Sequence, residues 1–269
     1  MNQIGQPPKG RIPSKEELQG LVEARDLGSL MAVMNQSGRV PTLRLAHKLA
    51  LDLLRDEPET LYQWGVAMAD CPEWGTRSAA GWFIGGQYER HPDEAAELLI
   101  DLVDDDNWSV REGAAFGLAT VLNDHFEEVL PLFEEWSRHE SVNIRRGVVI
   151  SVMPVIRDRS HGRDRAQPCL DLLEPLLSDS EPYIRKNLGP FAIGTALLRH
   201  HPDLTFAALE TWRDRYDDVY VRWNLAKAVS SSGGRRHRER SLEFLETLAD
   251  DQRPIVQRAV ASSRRSLVD

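Results

Sequence analysis

The sequence predicts an all-α chain folded as a right-handed α-solenoid of paired helices over roughly 15–260, and three observations carry that expectation. Five stretches align on a single arginine: Arg77, Arg111, Arg145, Arg185 and Arg222, spaced 34, 34, 40 and 37 residues apart. A sixth, weaker copy places Gln257 at the same point 35 residues on. Each copy keeps apolar residues at helical spacing, and no run shows the Val/Ile/Thr alternation of a sheet strand. A repeat of this period is the signature of stacked helix pairs that bury a shared core.

The repeat helices justify themselves one by one. Val110, Ala114, Leu118 and Val121 form an apolar stripe in the copy at 110. Ile144, Val148 and Val152 repeat it, as do Ile184, Leu188 and Ala192, and then Val221, Leu225 and Val229. A stripe one face wide marks a helix packed on one side. Gly81, Ala115, Gly189 and Ala226 stand four residues after their arginines, where small side chains let neighbouring helices approach closely. Second helices are expected near 92–103, 126–138, 165–177, 202–213 and 238–249. Two of them open on His-Pro-Asp, at His91-Pro92-Asp93 and His201-Pro202-Asp203, with proline in the first turn and an acid at the positive end of the helix dipole. Further helices are expected near 15–25, 28–36, 42–55 and 59–69, the first with a capping box at Ser14 and Glu17. Residues 1–13 are expected to form a flexible N-terminal segment before a single repeat domain at 14–269. The stretch Ser230–Arg238 reads as a flexible basic loop.

Composition excludes several classes. Apolar residues make up 41% and charged residues 28%, the balance of a globular protein. Two cysteines, Cys71 and Cys169, argue against a disulfide framework and a cysteine zinc site. No apolar run has the length of a membrane span, and the N-terminus lacks the apolar core of a signal peptide, so the expected compartment is cytoplasmic. No G-x-S-x-G, Walker, H-E-x-x-H or Rossmann motif occurs, the histidines show no metal-ligand spacing, and no cofactor or metal is expected. The net charge of −9 hides an asymmetry. Residues 1–136 hold 11 basic and 24 acidic side chains, whereas residues 137–269 hold 22 and 18. An acidic chain can still bind a polyanion where its cations share one surface.

The aligned arginines suit fastening between repeats, because the guanidinium fork bonds an acid or carbonyl of an adjacent turn. The residues that follow them, Ser78, Glu112, Arg146, Lys186 and Trp223, are not explained by a solenoid core. Arg145-Arg146 and Arg185-Lys186 give four cations in register on consecutive copies, a spacing that suits a phosphate backbone. Trp74 and Trp108 each stand three residues before a repeat arginine. Trp108 and Glu112 are i and i+4, hence on one helix face. A carboxylate stabilises an oxocarbenium-like sugar, and an indole face attracts a cationic base, so this pair suits cleavage of a labile N-glycosidic bond.

The loop acid or Asn followed by Val-Arg or Ile-Arg resembles HEAT-type repeats, in which the arginine-bearing helices line the concave side. The blocks NWSVREGAAFGL, SVNIRRGVV, SEPYIRKNLGPFAIGTALLRHHPDL and VYVRWNLAKAV are similar to the bacterial DNA-alkylation-repair HEAT-like superfamily of the AlkC/AlkD type, over about residues 60–230. The resemblance implies a protein that binds duplex DNA, alkylated or otherwise altered, and a glycosylase that releases cationic N3- or N7-alkylpurines. AlkD-type glycosylases carry a Trp-x-x-x-Asp pair in the cleft, and Trp108 with Glu112 occupies that spacing here, glutamate replacing aspartate. The resemblance makes Trp108 and Glu112 the catalytic candidates. Arg111, Arg145, Arg146, Arg185, Lys186, Arg222, Trp223 and Trp74 are the candidates for DNA contact. The acidic first half and the lack of other motifs leave a non-catalytic scaffold, with a protein partner in the groove, as the alternative.

Overall fold

The computed structural model describes residues 10–157 and 162–268. Residues 1–9 of the expected flexible segment lie outside the described residues, and 10–14 precede the first helix without regular structure. Contacts group the chain into two compact units, Met1–Val121 and Leu122–Asp269. Among the described residues there is no strand, and no helix is long and apolar enough to cross a membrane.

In the first unit, local chemistry sets the helix ends. Helix α1 (Lys15–Glu23) begins where Ser14 Oγ accepts the Glu17 N–H at 3.1 Å, the expected cap. Helix α2 (Leu27–Ser37) begins where Asp26 accepts the Ser29 N–H at 3.0 Å. It ends on Gly38 at φ +55°, a left-handed position that glycine takes without a Cβ penalty. There follow α3 (Val40–Leu53), α4 (Pro58–Ala69), α5 (Trp74–Gly85), α6 (Pro92–Val103) and α7 (Trp108–Asp124). Proline in the first turn opens α3, α4 and α6, where its missing N–H costs nothing. Leu18, Met34, Leu43, Tyr62, Met68, Phe83 and Leu99 fill the core between them.

The second unit contains α8 (Phe126–Trp136), α9 (Val142–Arg157) and α10 (Gly162–Leu173). Helix α11 (Pro182–Asn187) runs into a π-helical segment, Leu188–Leu197, and then α12 (Leu198–His200). Helices α13 (Pro202–Arg215), α14 (Val219–Val229), α15 (Ser232–Arg236), α16 (Arg238–Glu246) and α17 (Pro254–Val268) complete it. Helix α9 packs on the π segment, the π segment on α14, and α14 on α17, the stacking of an α-solenoid. The stripes read from the sequence are buried here as expected: Ile144, Val148, Val152, Ile184, Leu188, Ala192, Val221, Leu225 and Val229.

Two features depart from simple α-helical repeats. The π winding follows from Pro190, which has no N–H to donate, and from Gly189 and Gly194. A Cβ on Gly189 would lie 2.7 Å from Asn224 O, and one on Gly194 would overlap Ala228 O. The wider turn sets both glycines against the backbone of α14. The second departure is a correction. Ser230–Arg238 is not a loop throughout, because Ser232–Arg236 forms α15. Ser231 Oγ accepts the Gly233 and Gly234 N–H groups at 3.1 and 3.3 Å, and both glycines are buried against neighbouring backbone. The Ser-Gly-Gly composition serves close packing there rather than freedom.

His47 on α3 supplies a titratable element of the first unit. Its ring lies 4.8 Å from Phe83 and 5.8 Å from Trp82, centroid to centroid. Burial favours the neutral imidazole and lowers its pKa from the ordinary 6.5 to about 4. The stability this contributes is complete above about pH 6.5 and is lost as the pH falls toward 4, because the unfolded chain takes up the proton first. The loss should be on the order of 3 kcal/mol across that window. Urea denaturation between pH 7 and 4 should show it, and His47→Gln should flatten the curve. The same pH dependence in both proteins would contradict the assignment.

Candidate nucleic-acid interface

The face that presents Trp108 and Glu112 depends on how closely α5 and α7 meet. A Cβ on Gly81 would lie 2.6 Å from Ala114 Cα, and a Cβ on Gly113 or Gly117 would overlap the carbonyl of Ser78 or Gly81. The two helices therefore pack backbone to backbone. Val110, Ala114 and Leu118 face inward, fully buried. On the other side of α7 stand Trp108, 56% exposed, half-buried Glu112 and Phe116, 42% exposed. They are spaced i, i+4 and i+8, so a carboxylate sits between two exposed aromatic rings along one helix face. Asn107 Oδ1 accepts the Ser109 N–H at 2.9 Å and fixes the start of the helix at Trp108. Trp74 begins α5 in the equivalent place, half-buried, and lines with Asn107 a shallow recess of about 320 Å³.

Four of the five repeat arginines, Arg77, Arg111, Arg145 and Arg222, act as fasteners. Arg77 donates from one terminal nitrogen to the carbonyls of Cys71 and Pro72 at 2.7 and 2.9 Å, and from Nε to Asp105 at 2.7 Å. Arg145 does the same with His139 O and Glu140 O, both at 2.8 Å, and with Asp179 at 2.8 Å. Arg111 donates to Asp105 O and Asp106 O at 2.7 and 3.0 Å. Arg222 keeps a weaker form, with Nε 3.4 Å from Tyr216 O. The acids serve twice, since Asp105 also accepts the Asn107 N–H and Asp179 the Glu181 N–H. Each clasp thus ties the loop before its helix, and Arg77 and Arg145 tie the loop of the following repeat as well.

In the second unit the four expected cations stand in different surroundings. Arg145 is clasped, as above. Arg146 is buried, 4% exposed, with its guanidinium 4.7 Å over the Tyr183 ring. Arg185 stacks over Tyr220 at 4.6 Å and Trp223 at 5.2 Å. Lys186 is exposed. Trp223 is half-buried, and Phe191 on the π segment is 51% exposed. Phe116 and Phe191 are the outward aromatics that the sequence reading did not single out. Both stand inside apolar blocks, and their one available signal was a phase outside the buried stripe.

The sequence model of a family described as DNA alkylation repair enzyme matches residues 39–230. No curated protein matches the chain in sequence. Among solved structures, the crystal structure of AlkD2 from Streptococcus mutans is similar at 18% identity and a TM-score of 0.60, over 77% of this chain and 97% of that one. The protein smu.31 from Streptococcus mutans UA159 is similar at 18% identity and a TM-score of 0.56, over 78% of this chain and 97% of that one. These likenesses show the fold, a HEAT-like α-solenoid.

The clasp predicts where stability resides. Arg145→Ala removes two carbonyl bonds and a largely buried ion pair with Asp179. It should lower the unfolding free energy by about 2–4 kcal/mol, since bonds to charged groups contribute about 1.5–3 kcal/mol each and are not additive. Lys186→Ala, on the same unit but exposed, should change it by less than about 0.5 kcal/mol. Urea denaturation measures both, and equal effects would contradict the fastening role.

Proposed function

The chain belongs to the DNA alkylation repair enzyme family, and on that premise we propose that it binds alkylated duplex DNA and releases cationic N3- or N7-alkylpurines. The observation that carries the reading is the α7 face, where Glu112 lies between the exposed rings of Trp108 and Phe116. Alkylation at N3 or N7 gives the purine a positive charge. The bond from C1′ of the sugar to the purine then breaks with its electron pair moving onto the base, which leaves neutral. The sugar becomes an oxocarbenium-like cation, and water adds at C1′, yielding a hydroxyl and a proton. Glu112 supplies negative charge beside the developing cation, where fixed electrostatics act most strongly. Trp108 borders the damaged base and attracts its charge through the indole face. No metal and no covalent enzyme intermediate are needed.

Contact with the DNA backbone falls to cations outside the clasps. Lys186 is exposed, and Arg185 is held by aromatic rings rather than by carbonyls. Arg111, Arg145 and Arg222 support the interface by holding the loops, and Arg146 by packing under Tyr183. Trp74 and Trp223 are half-buried and leave part of each side chain open to contact.

Glu112→Gln keeps size and hydrogen bonding but removes the charge. It should slow single-turnover release of N7-methylguanine by about 10²–10³, the usual cost of losing one such interaction, while the thermal unfolding midpoint stays within a few degrees. Trp108→Ala should also slow release. Unchanged release in Glu112→Gln would remove the carboxylate from the chemistry. DNA binding without release by the wild type would leave a non-catalytic binder of altered DNA.

A further inference from the structure

Helix α17 lies beyond residue 230, where the family match ends, yet it continues the repeat register. Arg258 follows Gln257 as Lys186 follows Arg185 and Trp223 follows Arg222. Helices α14 and α17 pack together and leave between them a groove of about 480 Å³, lined by Trp223, Lys227, Arg258, Ser262 and Arg265 with an isoleucine and two alanines. No carboxylate lines it among the described residues. Trp223 and Lys227 are i and i+4 on α14, while Arg258, Ser262 and Arg265 share one face of α17.

We propose that the α14–α17 groove is a second phosphate-binding strip, which extends the DNA footprint beyond the family's shared region. The proposal rests on the DNA-binding reading above. Arg258 and Arg265 are exposed and sit seven residues apart, about 10 Å along the helix axis. That separation exceeds the span of one phosphate group, so the two arginines suit separate phosphates of a strand rather than a single small anion. Lys227 is half-buried and donates to Ser262 Oγ at 3.2 Å. Burial lowers its pKa, and an anion in the groove would oppose that shift by favouring the charged form. Arg185 adds a positive charge beside the groove-lining Trp223, whose ring its guanidinium covers at 5.2 Å. The neighbouring Arg264 shows the contrast, since it is ion-paired with Glu246 at 2.7 Å and does not line the groove.

The test compares the salt dependence of duplex binding in the full-length wild type, R258Q/R265Q and R240Q/R264Q. The last variant removes the same charge from arginines paired with Asp203 and Glu246. Each lost phosphate contact lowers the slope of log K against log salt by about 0.9, so R258Q/R265Q should lose about 1.8. The control should change it by less than about 0.5. An unchanged slope in R258Q/R265Q, or an equal change in both variants, overturns the strip while DNA binding stands. A wild type that does not bind duplex overturns the strip together with the DNA-binding reading. Binding with the expected slopes but without base release overturns catalysis alone. Circular dichroism melting of each variant checks that the fold is intact.

Discussion

The repeat arginine is the constraint on which the local geometry depends. Arg77 and Arg145 each close the loop before their own helix with two carbonyl bonds and reach an aspartate in the following loop. Loop carbonyls near a helix start have no helical partner, and an unsatisfied buried polar group is costly. A guanidinium that satisfies two of them and an acid fixes where the helix begins and where the next repeat lies. A lysine could not do this, because it lacks the planar fork.

That fastening has a functional consequence. An arginine held by carbonyls and an aspartate is a poor ligand for phosphate, so the outward work falls to the next residue, about 100° around the helix. This position holds Glu112, Lys186, Trp223 and Arg258, four side chains with different chemistry on a shared frame. The same position holds Arg146, which is buried under Tyr183, so register alone does not assign a role. The glycines of α5 and α7 act in the same spirit. They remove side chains from the helix contact and leave the outer face of α7 to Trp108, Glu112 and Phe116.

Much of this was legible in the sequence, and for a physical reason. Helix ends are set by local groups, so Pro92 and Pro202 marked their starts, and Ser14 its cap. Apolar stripes reported burial faithfully because each helix has one inward face. The π segment was not legible, since Pro190 alone only removes a donor. The wider turn also needs Gly189 and Gly194 to meet α14, a contact between distant residues. Helix α15 was hidden because Ser and Gly favour loops unless packing demands their small size. The burial of Arg146 depended on Tyr183, 37 positions away, which no periodicity reveals.

The chain belongs to the DNA alkylation repair enzyme family, and the proposed function assigns it alkylated DNA as substrate, with the carboxylate and aromatic rings of the α7 face as the groups that would act on it. The most direct measurement is the free base released by the wild type from duplex DNA carrying N7-methylguanine at a single site, set against an undamaged duplex of the same sequence. The account predicts release of N7-methylguanine, an abasic site left in the strand and no release of normal guanine. Tight binding of the damaged duplex with no base released above the spontaneous rate would contradict it.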